Sequence, residues 1–488
     1  MPTKADETRV LSGVRTELYL GGEWTPARSG GTVAVEDPST GETIAEVADG
    51  SPAEGLEALR IAAENQAGWA ATAPRERGEI LRRTYELMVE RADDLALLMT
   101  LEMGKPLVES RGEVSYAAEF LRWFSEEAVR VDGRFGLSPA GDSRLIVLKQ
   151  PVGPCLFITP WNFPLAMGTR KIGPAVAAGC TMIVKPAKQT PLSMLALAAL
   201  LEEAGLPKGV LSVLTAKSAG ALTAPLLQDP RLRKLSFTGS TEVGRQLVKD
   251  SADQLLRTSM ELGGNAPFLV FEDADLDKAV DGAVLAKMRN MGEACTAANR
   301  FHVHVSVAEE FTRRLTERMS ALSVGRGTDA GVQVGPLIDD AGRAKVDELV
   351  SDAVDRGAKA VCGGTRPDGP GYFYPPTVLA GVEPGSRILK EEVFGPVAPV
   401  ATFETDDEAI AAANDTEFGL VSYAYTQSWD RGMKVIEALQ SGMLGLNRGL
   451  VSNPAAPFGG IKASGFGREG GPEGIAEYLD VKYVSTPH

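Results

Sequence analysis

Cysteine and histidine are scarce in this chain, with four and three in 488 residues. Cys155, Cys180, Cys295 and Cys362 form no CxxC pair, and His302, His304 and His488 have no cysteine at ligand spacing. Neither a zinc site nor a disulfide framework is therefore expected, and no metal is assigned. Asp273, Asp275 and Asp277 begin like a calcium loop, but Lys278 stands where glycine is required and Val284 where the bidentate glutamate belongs. That run reads as a helix start favoured by negative charge. Basic residues are in deficit, 50 against 65 acidic ones, and the net charge of −15 argues against nucleic acid and anionic membrane as partners. No apolar run reaches the ~18 residues of a membrane span, and MPTKADETRV holds no apolar export core. A reduced, cytoplasmic setting fits.

What is present is a long, loop-punctuated globular chain, 44% apolar with 53 Gly and 30 Pro, too long for one simple core. Residues 18 to 50 read as short strands and turns, and two or three long helices follow over roughly 53 to 131. From Cys155 the pattern alternates. Apolar runs at Cys155–Thr159, Thr181–Val184, Val210–Leu214, Lys234–Thr238 and Thr258–Leu262 lie about 23 to 30 residues apart with helical stretches between them. This predicts an α/β fold with a doubly wound parallel sheet. Such sheets bind ligands beyond their strands' carboxyl ends, which here carry Trp161-Asn162-Phe163-Pro164, Lys185-Pro186-Ala187-Lys188 and Gly239-Ser240-Thr241. A second α/β series starts at Ala266 and runs to about 463, and the Pro/Gly-rich stretch from Gly363 to Pro376 reads as a surface loop within it.

Helical spacing of Leu276, Val280, Val284, Met288 and Met291 predicts a helix that the chain leaves at Gly292, just before Cys295. Spacing alone leaves Cys295 open between a small buried apolar side chain and a nucleophile held in a pocket. Gly239 and Ser240 precede a helix whose first N–H groups suit a phosphate, although Ser-Thr is also an ordinary cap. Gly465-Phe466-Gly467-Arg468-Glu469-Gly470 spells GxGxxG but lacks a surrounding βαβ unit and reads as a structural turn. Lys185 could reach a ribose or phosphate, and Lys188 adds a second charge that suits a 2′-phosphate.

Taken together, Trp161–Pro164, Val184–Ala187, Phe237–Thr241, Glu261-Leu262-Gly263-Gly264-Asn265, Gly292–Cys295, Glu391–Pro396 and Pro457–Gly460 resemble the NAD(P)-dependent aldehyde dehydrogenase superfamily, in order and at its spacing over nearly the whole chain. The resemblance implies that Cys295 is the nucleophile, Glu261 the base that activates water, and Asn162 an oxyanion donor. It implies cofactor contacts from Trp161, Lys185, Pro186, Ala187, Lys188, Gly239, Ser240, Leu262, Glu392 and Phe394. Within the superfamily, Gly112–Ala118, Thr169–Gly173, Met288-Arg289-Asn290 and Gly449–Ser452 resemble succinate-semialdehyde dehydrogenases. That likeness implies that Arg170, Arg289 and Ser452 hold the substrate's distal carboxylate, as arginine forks do in a protein of this charge.

Departures from the pattern carry information. Ala297 stands where some relatives have a second cysteine, so no redox pair is expected. Glu293 replaces a usual Gln and is expected to point away from the thiol. Lys188 replaces a Glu of NAD-preferring members, which favours NADP while NAD stays possible. The resemblance implies cofactor-binding residues 1–130 and 152–263, catalytic residues 264–463, and bridging strands in 131–151 and 464–488. Arg144–Lys149 and Leu479–Val484 would pair between subunits of a homodimer or homotetramer. Alternatives are the same mechanism on glutarate semialdehyde or another short aldehyde, a CoA-acylating dehydrogenase, which Glu261 makes improbable, and a catalytically silent binding protein on the same fold.

Overall fold

The computed structural model describes residues 2–488. Its first sheet has eight strands, ordered Gly465–Phe466, Arg257–Glu261, Lys234–Thr238, Cys155–Ile158, Met182–Lys185, Leu211–Val213, Leu18–Leu20, Glu23–Thr25. The five strands from Arg257–Glu261 to Leu211–Val213 run parallel. Four of them are buried along their whole length, and Arg257–Glu261 is buried from Ser259 on, which is why they read as short continuous apolar runs rather than alternating ones. The chain proceeds from Cys155–Ile158 outward in one direction through two strands. It then returns to lay Lys234–Thr238 on the other side of Cys155–Ile158. This reversal makes a crevice beyond the carboxyl ends of those two strands, where a ligand can enter between diverging loops.

A second sheet of seven strands is ordered Lys359–Cys362, Thr377–Ala380, Val397–Phe403, Ala298–His304, Ala266–Val270, Val421–Tyr425, Met443–Leu446, parallel except at the Lys359–Cys362 edge. Arg300 ties this sheet to the helix Asp406–Asn414. Its guanidinium donates to the carbonyls of Asn265, Ala412 and Ala413, satisfying helix-end oxygens that burial would otherwise strand. Asp275 caps the helix Leu276–Met288 through Lys278 N–H, the acidic helix start read from the sequence. No helix among the described residues is long and apolar enough to cross a membrane.

Several elements differ from the sequence reading. Four helices, not two or three, fill Pro52–Glu127, because Pro74 and the Gly104-Lys105-Pro106 turn break what periodicity joins. Arg144–Lys149 and Leu479–Val484 pair with each other within the chain, inside a three-stranded antiparallel sheet with Arg134–Leu137. The two are brought side by side by the helix Gly471–Ala476 and by a bond from Val152 N–H to Tyr478 O. The helix expected to run to Gly292 ends at Met288. A 3₁₀ turn, Arg289–Gly292, follows, in which Asn290 (φ 54, ψ 42) and Met291 (φ 54, ψ 23) are left-handed. Only a tight reversal here brings Cys295 to the crevice, and Gly292 has no room for a side chain, since a Cβ would lie 2.2 Å from Gly395 O.

Candidate active site

A cavity of ≈ 280 Å³ occupies the crevice between the two large sheets. Of the residues singled out from the sequence, Trp161, Asn162, Gly239, Ser240, Glu261, Leu262, Cys295, Glu392 and Phe394 line it. They come from five separate segments. Pro160, Thr238, Gly263, Glu293 and Val393, all from or beside the stretches singled out, also line it, whereas Met167, Gly342 and Lys345 carry no sequence signal that would have placed them there.

Cys295 is half-buried, with the surface it keeps turned to the cavity. Its carbonyl lies so close to Gly264 that a Cβ there would sit 2.4 Å from it. Burial pushes the thiol up to about 12, Arg170 and Arg289 pull it down, and Glu392 and Glu261 push it further up. The nucleophilic form is the thiolate, so in the protein alone Cys295 rests protonated. The rate of its alkylation by iodoacetamide is therefore expected to climb about tenfold per pH unit from pH 7 to 9 without levelling, as the thiolate fraction does below its pKa. A plateau near pH 8.5, measured by mass spectrometry of the Cys295 peptide, would show an unshifted thiol.

Asn162 is buried, its Nδ2 donating to Glu293 O at 3.0 Å and its Oδ1 accepting from Phe163 N–H at 3.1 Å. The amide is held at both ends and keeps one N–H for a partner in the cavity. Glu261 is 4% exposed, and its Oε2 has no partner among the described residues. Burial and then Glu469 raise its carboxyl well above the usual range, while Lys171, Arg170 and Arg468 hold it back. A carboxylate with such an appetite for a proton suits a base. Glu293 accepts from Ile338 N–H at 3.0 Å through Oε1, and burial raises its carboxyl well above the usual range.

Glu392 accepts from Gly264 N–H at 3.0 Å, and burial raises it to about 7. Phe394, at φ 54, meets Trp161 edge to face with centroids 5.4 Å apart. Ser240 caps the helix Thr241–Ser251 through Val243 N–H. Lys185 ends its strand 5% exposed. Burial and then Lys188 lower it to about 8, and no acidic group contributes to that shift. A buried ammonium without a carboxylate is suited to an anionic or hydroxyl-bearing ligand. Together with the capped helix start and the Glu392 carboxyl, these residues fit a nicotinamide dinucleotide. Pro186 and Ala187 form the turn after Lys185, and Lys188 lies on a separate hollow of ≈ 370 Å³ beside Lys217.

The expected carboxylate clamp is divided. Arg289 and Ser452 line a neighbouring cavity of ≈ 310 Å³ with Tyr116 and Phe163, and Arg289 reaches Ser452 Oγ at 3.4 Å. Arg170 lines neither cavity. It is 1% exposed, donates to Tyr116 OH at 2.6 Å, lies 3.9 Å from the Phe458 ring centroid and 3.5 Å from Glu469. Arg170 thus meets the second cavity only through Tyr116, which lies within the Gly112–Ala118 stretch but is given no role of its own there. The GxGxxG stretch is structural but not a plain turn: Gly465–Phe466 adds an antiparallel edge strand beside Met260 and Glu261, and Glu469 bridges Phe458.

The aldehyde dehydrogenase family model matches residues 24–484. The chain is 60% identical to a succinate-semialdehyde dehydrogenase of Paenarthrobacter nicotinovorans over 90% of its own length and 98% of the relative's. It is 51% identical to a glutarate-semialdehyde dehydrogenase of Pseudomonas aeruginosa over 96% and 97%. The crystal structure of an NADP-dependent enzyme of Escherichia coli, 49% identical, superposes with a TM-score of 0.96 over 99% of both chains. A cavity that gathers a thiol, a buried carboxyl and a fixed amide at the switch point of a doubly wound sheet, and likeness of this extent, place the chain in the aldehyde dehydrogenase family.

Proposed function

We propose that the chain oxidises succinate semialdehyde to succinate with NADP, NAD serving less well. What carries the reading is the convergence of Cys295, Asn162 and Glu261 on one cavity whose neighbour holds Arg289 and Ser452. The Cys295 thiol gives its proton to water, its thiolate attacks the aldehyde carbon, and the alkoxide of the thiohemiacetal takes hydrogen bonds from the Asn162 amide and the Cys295 backbone N–H. One such donor is worth about 3 kcal/mol. A nicotinamide bound here would supply the acceptor for the hydride that leaves the thiohemiacetal carbon. Glu261 then takes a proton from the water that hydrolyses the Cys295 thioester. Trp161, Phe394, Leu262 and Val393 keep bulk water from the thiohemiacetal, and Glu392 would hold the nicotinamide ribose. Lys185, with Pro186 and Ala187, would hold the adenosine ribose, Gly239 and Ser240 would receive the pyrophosphate, and Lys188 would favour a 2′-phosphate. Arg289 and Ser452 bind the distal carboxylate, with Arg170 adding charge behind Tyr116.

Residues 1–130 with 152–263 serve the cofactor, residues 264–463 serve catalysis, and the strands within 131–151 and 464–488 serve assembly into a homodimer or homotetramer. The exposed Phe135, Val481 and Tyr483 on the three-stranded sheet support that role. Four free cysteines support a cytoplasmic setting. A second reading, glutarate semialdehyde as substrate, is favoured by the identity to the Pseudomonas aeruginosa relative.

Initial rates with succinate semialdehyde, glutarate semialdehyde and propionaldehyde under NADP and NAD test both readings. Arg289→Ala is expected to lower kcat/KM for the acidic aldehydes by roughly 10- to 100-fold, the worth of a charge-assisted hydrogen bond, and to leave propionaldehyde unchanged. An equal loss on all three aldehydes overturns the clamp.

A further inference from the structure

An oxyanion donor works only if it is aimed before the charge develops, because reorganisation at the moment of reaction forfeits most of the gain. The Asn162 side chain depends for its aim on two carbonyl oxygens, its own and that of Glu293, and both are gripped by one residue. Asn290 Nδ2 donates to Asn162 O at 3.0 Å and to Glu293 O at 2.9 Å. Asn162 Nδ2 donates to the same Glu293 oxygen. The two protons of a single amide thus lace the turn after the first strand to the loop that carries Cys295.

The position is held against its own cost. Asn290 is fully buried with a left-handed backbone, a conformation that few residues other than glycine and asparagine accept. Its Oδ1 has no hydrogen-bond partner among the described residues, a loss of about 1–3 kcal/mol. Packing alone does not recover that loss. What the residue contributes is its donor.

Lys105 holds the same carbonyl from the other side. Its ammonium has three protons to place. It reaches Glu113 Oε2 at 2.5 Å, Asn162 O at 2.7 Å and the face of Phe163 at 4.3 Å. Glu113 in turn accepts from Leu165 N–H at 2.9 Å and Ala166 N–H at 3.1 Å through Oε1. Lys105 and Glu113 are each no more than 2% exposed, so this ion pair spends its charge on the backbone of residues 162–166 and not on solvent.

We propose that Asn290, backed by the Lys105–Glu113 pair, is a positioning residue that sets the distance between the Asn162 amide and the Cys295 loop, and through it the rate of thiohemiacetal formation and hydride release. The inference rests on Asn162 being the oxyanion donor. The test is a two-residue cycle on the full-length enzyme using the rate constant of the NADPH burst. Asn290→Gly keeps the left-handed backbone and removes the donor. Asn290→Asp, of the same size and tolerant of the same backbone, serves if the glycine variant does not fold. The burst rate constant is expected to fall roughly 10- to 100-fold, as a misplacement of about 1 Å does, with KM and the NADP dissociation constant, read by tryptophan fluorescence, unchanged. Asn162→Ala falls on the order of 100-fold, and the double variant falls no further, since Asn290 acts through Asn162. Losses that multiply in the double variant, or a parent-like burst in Asn290→Gly, overturn the proposal and leave the role of Asn162 standing. A parent-like burst in Asn162→Ala overturns that role and the inference with it.

Discussion

Cys295→Ala abolishes NADPH formation from succinate semialdehyde, by on the order of 10⁴-fold or more, the scale lost when a covalent nucleophile is removed. The other groups around the cavity cannot substitute for it. In the proposed mechanism Asn162 donates a hydrogen bond and Glu261 accepts a proton, while sulfur alone makes the bond that holds the aldehyde carbon as hydride leaves. Because Cys295 is half-buried at a cavity wall, truncation to alanine removes one sulfur atom from an open face and leaves packing intact. NADP binding, read by tryptophan fluorescence, and the thermal midpoint are expected to match those of the parent. Retained turnover in this variant sinks the covalent mechanism. Loss of cofactor binding along with turnover would assign Cys295 a structural part instead.

Glu261→Gln separates two half-reactions that Cys295→Ala stops together. Hydride leaves from the thiohemiacetal without needing the carboxylate, so one equivalent of NADPH per active site still appears. Hydrolysis of the thioester then stalls, and the steady-state rate falls by about 10²- to 10⁴-fold, the worth of a general base. The direction of the pH effect follows from burial and the nearby Glu469, which raise the Glu261 carboxyl above its ordinary range. The base acts in its ionised form, so the parent's steady-state rate rises with pH through the raised pKa and then levels. In Glu261→Gln that limb disappears. Rapid-mixing absorbance of NADPH distinguishes the outcomes, and a burst smaller than one equivalent would place Glu261 in the first half-reaction.

Much of the first sheet was legible in the sequence, because buried parallel strands declare themselves as short apolar runs at regular spacing. The residues that line the cavity, Asn162, Gly239, Glu261 and Cys295 among them, follow strand ends or a helix, and local pattern marks those places. Two kinds of feature were not legible. The exit from the helix at Met288 and the left-handed turn after it depend on Gly395 and Asn162, which are far off in the chain. The pairing of Ser143–Pro151 with Leu479–Pro487 inside the chain joins segments more than 300 residues apart, which no local pattern reports.

Residue types and their spacing determined the chemistry available to this chain: a thiol just past a helix, a carboxyl at a strand end, an amide after a strand. They determined the α/β fold class as well, since alternation of apolar runs is a local property of the chain. The tertiary structure alone decided how those groups are aimed. It set Arg170 behind Tyr116 and away from the cavities, and it placed Lys105, Glu113 and Asn290 around the Asn162 carbonyl. The reason is that hydrogen bonds between residues 54 to 128 positions apart, as from Arg170 to Tyr116 and from Asn290 to Asn162, leave no periodicity in sequence, and they exist only once both partners have been buried and must be satisfied.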